Sequence, residues 1–127
     1  VICKPGGGFV LIDWRPDFGS SLTSGDKYYD LAKLYGGMLI DYSQIKKNQM
    51  FFEFRNGFYS YKLPKCKEFD QVVSVFETYA KTNGYSLKKI ALLTGLVYLN
   101  MCPLHARPFS DILFFRAFEI LSEHLGK

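Results

Sequence analysis

The run from Phe9 to Ala32 limits the geometry of this chain more than any other stretch. Phe9-Val10-Leu11-Ile12 reads as a buried strand, and it ends on Asp13. A carboxylate at the end of an apolar strand is costly to bury without a cation or hydrogen-bond donors. A lone Asp in that place usually serves as a turn or cap. This one is followed by Trp14 and Arg15, by Pro16-Asp17-Phe18-Gly19 and by a polar Ser/Thr loop. Gly25-Asp26 then opens a helix carrying Tyr29-Asp30-Leu31-Ala32, with Asp26 placed to cap its first turn.

Upstream, Val1-Ile2-Cys3-Lys4 reads as a short strand and Pro5-Gly6-Gly7-Gly8 as a turn. A phosphate-cradling loop would need a Lys-Ser/Thr pair and a helix after its glycines. Here a strand follows, so the glycines mark a hairpin that returns through Phe9 to Asp13. Downstream, the helix from Asp26 is expected to run to about Asp41, with Tyr28, Leu31, Leu34, Tyr35, Met38 and Leu39 at amphipathic spacing. Gly36-Gly37 weakens it or lets another backbone approach closely. Residues 43–48 read as one or two further helical turns.

Asn56-Gly57 lies between two aromatic-rich runs, which is a strong hairpin signal. A two-residue turn pairs Phe54 with Tyr59 and Phe52 with Tyr61, giving one aromatic face, expected to pack on helices. Glu68 to Asn83 reads as a helix with Phe69, Val72, Val73, Phe76 and Ala80 on one stripe, stopped at Gly84. Ser86 caps the next helix, Leu87 to about Met101, whose leucines fall on nearly every side and imply a central, buried position. Met101-Cys102-Pro103-Leu104-His105 breaks it. A last helix follows Pro108, with Phe109, Ile112, Phe115, Phe118, Ile120 and Leu121 expected to bury it and Gly126 to end it. The sum is one domain over residues 1–127, α+β but mainly helical, with an N-terminal β-hairpin, a second hairpin near 51–63 and about four main helices.

Composition fits a single folded unit. The chain has 127 residues, 48% of them apolar and 17% aromatic, enough for a core. Its mean hydropathy of -0.03 argues against disorder. No uninterrupted apolar run reaches the roughly 18 residues of a membrane span. The net charge of +4 is spread along the chain, unlike the concentrated basic face of a nucleic-acid binder. Cys3, Cys66 and Cys102 have no CxxC spacing, which excludes zinc-ribbon and thioredoxin-like readings and suits a reducing cytoplasm. His105 has no adjacent carboxylate or nucleophile, so sequence alone does not make it a catalytic base.

Ile12-Asp13-Trp14 and Gly25-Asp26-Lys27-Tyr28-Tyr29-Asp30-Leu31-Ala32, in that order and spacing, resemble the aminoglycoside phosphotransferase and choline kinase group of small-molecule kinases. The Asn100-Met101-Cys102-Pro103-Leu104-His105 corner is similar to a junction in related kinase-like proteins. The resemblance implies the carboxy-terminal lobe of a protein-kinase-like fold, with Asp13 holding magnesium against the phosphates of ATP. It gives Asp26 and Asp30 structural roles, Asp30 bracing the catalytic loop. Arg15 is a candidate phosphate contact, although pairing with Asp17 is the safer reading, and His105 a candidate on the acceptor side. The catalytic base and the nucleotide-covering lobe would lie upstream of Val1, so the isolated chain is expected to be inactive. The acceptor implied is a small hydroxyl-bearing molecule such as an aminoglycoside, choline or a sugar. The alternative is a kinase-like scaffold or pseudokinase that binds a partner. Neither nucleic acid nor membrane is an expected partner, and the face left open in such a fragment is expected to self-associate.

Overall fold

A computed structural model describes residues 2–10, 18–63 and 67–126. Its architecture is mainly helical α+β: two small two-stranded antiparallel sheets and four long helices. Strand β1 (Ile2–Cys3) pairs with β2 (Phe9–Val10) across a loop in which Gly6, Gly7 and Gly8 all take positive φ. The expected hairpin is present, but Phe9 and Val10 are exposed rather than buried. A two-stranded ribbon has no sheet neighbour to cover its faces. The Leu11–Asp13 part of the expected strand lies outside the described residues.

Helix α1 (Lys27–Leu39) begins as the sequence predicts: the Asp26 carboxylate accepts the Tyr28 N–H at 2.8 Å. It ends two residues early, because Ile40 turns extended and drops into the core. Asp41 then caps a new short helix, α2 (Tyr42–Lys46), accepting from the Ser43 hydroxyl at 2.6 Å and its N–H at 3.0 Å. The hydroxyl bond, chiefly, holds the Asp41 carboxyl below its ordinary range.

Strands β3 (Phe51–Arg55) and β4 (Phe58–Lys62) pair in the expected register, Phe52 opposite Tyr61 and Phe54 opposite Tyr59. Asn56 and Gly57 supply the two positive φ angles that the turn requires. The aromatic face lies on Phe115, with the Tyr59 ring stacked 4.1 Å and the Phe52 ring 5.3 Å from it.

The remaining helices are α3 (Lys67–Thr82), α4 (Leu87–Met101) and α5 (Phe109–Leu125), with a 3₁₀ turn at Cys102–Leu104 between the last two. Ser86 caps α4, accepting the Lys89 N–H at 3.2 Å. Helix α4 is the hub. Ala91 and Tyr98 join Ile40 and the α5 residues Phe109, Leu113, Ala117 and Ile120 in one cluster. Ile90 joins Phe76 and Ala80 of α3 in a second, lined by Tyr28, Leu31, Tyr35 and Met38 of α1. Two glycines permit the close packing. A Cβ on Gly36 would sit 3.1 Å from the Tyr98 ring, and one on Gly95 would sit 2.8 Å from Leu121.

Amphipathic spacing overstates burial in four places. Leu34 and Val72 remain 50% and 45% exposed, and Phe118 is 55% exposed on the outer side of α5. Helix α4 is central but not sealed: Leu96 is 53% exposed. Its buried residues face α1, α3 and α5, while its other apolar side lines a groove. The stretch Leu87–Leu104 is long and apolar enough to cross a membrane by length and composition, although Lys88 and Lys89 interrupt it near its start.

Candidate functional site

The groove follows from how α1 meets α4. Thr94 and Tyr98 stand one turn apart on α4 and donate to the Ala32 and Gly36 carbonyls, one turn apart on α1, at 3.1 and 2.7 Å. The Ser86 N–H, at the start of α4, donates to the Tyr28 hydroxyl, at the start of α1, at 3.1 Å. The paired residue numbers rise together, so the two helices run parallel with their first turns side by side. Buried hydroxyls bonded to carbonyls lock the axial register more firmly than apolar contact, which tolerates sliding.

Beside this seam lies a cleft of about 690 Å³, a volume suited to a small molecule. Tyr29, Lys33 and Gly37 recur every four residues along its α1 wall. A Cβ on Gly37 would meet nothing within 4 Å, so that wall is bare there. Leu93, Leu96 and Val97 form the α4 wall, with Asn100 adding an amide. Met101, Leu104 and His105 of the corner close one end. The His105 ring packs edge-on against Phe109, 4.9 Å between centroids. Tyr42 reaches the same end; burial pushes its hydroxyl above the ordinary tyrosine range.

The charge of the cleft is one-sided. Lys33 carries its ammonium 5.7 Å from the centroid of the Tyr29 ring, in cation–π range. The ion pairs among the described residues are Lys89–Asp26, Arg107–Asp111 and Arg116–Glu119, and Lys33 belongs to none of them. Among the described residues no carboxylate lines the cleft. It therefore offers an ammonium, an imidazole, an amide and three phenols, one of them the Tyr98 hydroxyl already bonded to Gly36, set against an apolar wall. These groups can orient a bound molecule, and none of them is a carboxylate base.

The residues expected from sequence are distributed as follows. Asp13 and Arg15 lie outside the described residues. Asp26 caps α1 and pairs with Lys89 at 3.7 Å, a structural task. Asp30 is exposed on the first turn of α1 and does not line the cleft. His105 does line it. Among the described residues no three His, Cys, Asp or Glu side chains come together. Lys33 and Tyr42 were not singled out by the sequence, and Asn100 entered only as the first residue of the corner motif. The signal for them was indirect: a helix with apolar residues all round, opposite a helix carrying Gly36-Gly37.

Comparison with known proteins returns no match: no family model, no curated protein and no solved structure matches this chain.

Proposed function

We propose that this chain is the carboxy-terminal lobe of an ATP- and magnesium-dependent phosphotransferase with a protein-kinase-like fold, acting on a small hydroxyl-bearing molecule. The observation that carries the reading is the cleft. The Gly-Asp helix and the Asn-Met-Cys-Pro-Leu-His corner, some seventy residues apart in sequence, line one cavity of ligand size. These are two of the segments on which the resemblance to small-molecule kinases rests. The order of hairpin, helix, hairpin and three helices agrees with it.

In this reading the cleft is the acceptor side. Lys33, Asn100 and His105 orient the acceptor, and the leucine wall of α4 excludes water from it. Asp13 would hold magnesium, which when bound offsets the charge of the transferred phosphoryl group. The acceptor's proton would pass to a base on a loop upstream of Val1, so the isolated chain binds but does not catalyse. Changing Asp13 to Ala in the full-length parent tests this: magnesium-dependent nucleotide turnover should be lost, and unchanged turnover would overturn the assignment. Robust ATP hydrolysis by the 127-residue chain would also contradict it.

A second reading is a kinase-like scaffold that binds a protein partner. The exposed stripe of Phe114, Phe118 and Leu125 on α5 favours it, because such faces mark interaction surfaces. The sequence upstream of Val1 separates the two. A His-x-Asp run followed about five residues later by Asn belongs to an active kinase, and degenerate residues there belong to the scaffold. The expectation of self-association rests on the face left open in such a fragment, and this stripe is an exposed apolar surface available for it. A clean monomer across concentration in sedimentation would remove that expectation.

A further inference from the structure

The cleft distinguishes between acceptor classes by charge. We infer that it takes a free amphipathic molecule with one apolar chain and an anionic head, rather than a cationic molecule of the choline or aminoglycoside kind. The inference rests on reading the cleft as the acceptor side and goes further by naming the chemistry of the acceptor.

Three observations carry it. The first is electrostatic. A cationic ligand needs carboxylates or an open aromatic cage to replace its hydration. Among the described residues no carboxylate lines the cleft, and the face of Tyr29 already has the Lys33 ammonium near it. Lys33 is exposed and unpaired with any carboxylate among the described residues, so it can meet an incoming anion at little cost. The His105 imidazole and the Asn100 amide add donors that an anionic head can use.

The second observation is the apolar wall. Leu93, Leu96 and Val97 on α4, continued by Leu104, form a strip on one side of the cleft. Leu96 and Leu104 are 53% and 73% exposed, so covering them with a chain of methylenes removes apolar area from water. A sugar or polyamine has little apolar surface to place there. The third is the bare part of the α1 wall. The side-chain-free path beside Gly37 leaves room for an unbranched chain between the two helices. A free molecule fits this shape better than a bilayer, because the strip lies inside a cleft bounded by Tyr29 and Lys33 on the facing helix.

The test is binding to the 127-residue chain itself, followed by amide chemical shifts. Octanoate, octanol and octyltrimethylammonium share a chain and differ in head charge. Octanoate should bind about tenfold more tightly than the cation, the size of one charge-assisted contact. Its shifts should fall on Tyr29, Lys33, Leu96 and His105. Lys33→Gln should erase the preference without unfolding the chain, since the side chain is exposed, and Lys33→Glu should reverse it. Leu96→Ser should weaken octanoate and octanol alike, while Val75→Ser on the far side of α3 should change neither.

Equal or tighter binding of the cation would overturn the inference, as would shifts located away from the cleft or binding of none of the three probes. Co-sedimentation with anionic vesicles without any response to free octanoate would assign the strip to a membrane surface instead. Self-association that masks Leu96 and Leu104 and excludes octanoate would assign it to a second copy. None of these outcomes bears on Asp13, so the phosphotransferase reading stands or falls separately on the parent protein's turnover.

Discussion

The Tyr98 hydroxyl donates a 2.7 Å hydrogen bond to the Gly36 carbonyl, joining the last turn of α4 to the last turn of α1. Tyr98 is 1% exposed, so neither partner has water as an alternative. The carbonyl lies at the end of a helix, where backbone acceptors run short of intrahelical donors. Burial pushes the Tyr98 hydroxyl far above the ordinary tyrosine range, which keeps its proton in place as a donor.

Tyr98→Phe should therefore destabilise the chain by about 1–2 kcal/mol, the cost of leaving one buried acceptor unmet. Thr94→Val acts one turn away, where a single hydroxyl proton is shared between the Ala32 and Ile90 carbonyls. Its cost should be smaller, about 1 kcal/mol, because the Ile90 carbonyl keeps its place in the helix. Urea unfolding reads both as lowered midpoints with unchanged slope. Equal stability of wild type and Tyr98→Phe would show that the bond does not hold the seam.

The adjacent glycines of α1 should respond with opposite signs. Gly37→Ala should stabilise by up to about 1 kcal/mol, since the site is helical and a methyl there meets nothing. Gly36→Ala gains the same propensity but drives a methyl to 3.1 Å from the Tyr98 ring and 3.2 Å from the Thr94 methyl. Both neighbours are buried and fixed by hydrogen bonds, so neither can give way. The net effect should be a loss of about 1–3 kcal/mol. Thermal unfolding of the two single variants decides the matter, and a shared sign would contradict the packing described.

These glycines also show where sequence reading stops. The pattern of α1 located the helix and its Asp26 cap, and Asn56-Gly57 fixed the register of the second hairpin residue by residue, because both signals are local. The helix end at Leu39 was not legible: Ile40 leaves the helix to enter a core assembled from α4 and α5. Burial was legible only in part. Periodicity says which side of a helix is apolar, not whether anything covers it, so Leu34, Val72 and Phe118 looked like core and are exposed. The cleft is the same effect at a larger scale. The leucines all around α4 suggested a sealed helix, whereas the side toward Gly37 is open. His105, with Asn100 in the same corner, was placed on the acceptor side by resemblance, while Lys33 becomes visible only when the parallel register of α1 and α4 brings it to the same cleft.

Glu119 should prove to be the anchor of the second hairpin. It accepts from the Tyr61 hydroxyl at 2.7 Å, the Tyr59 hydroxyl at 3.3 Å and the Arg116 guanidinium at 3.0 Å. Glu119→Ala leaves two phenols and a partly buried cation without their acceptor, at a cost of about 1–3 kcal/mol. Phe115 would still stack on the hairpin, so the chain should remain folded. Hydrogen exchange is the discriminating measurement: amides of β3 and β4 should lose protection while those of α4 keep it. Uniform loss across the chain would mean that the hairpin is not a separable unit.

The last expectation concerns alkaline pH. Tyr61 is pushed up to about 12, first by burial and then by its hydrogen bond to Glu119. Tyr35 is likewise pushed up to about 12, by burial and then by the bond it donates to Glu77 at 3.0 Å. In the unfolded chain both phenols ionise near 10. Between about 10 and 12 the folded chain keeps protons that the unfolded chain has released, so stability falls as pH rises. The contribution is fully present below about pH 10 and lost by the time pH has passed about 12. Denaturation midpoints followed upward from neutrality should be flat at first and then drop through that window, together with a rise in phenolate absorbance. The double variant Tyr35→Phe, Tyr61→Phe should start less stable, having lost both hydrogen bonds, and decline less steeply above about pH 10. An equally steep decline in the double variant would place the alkaline sensitivity in other groups and remove Glu77 and Glu119 as its cause.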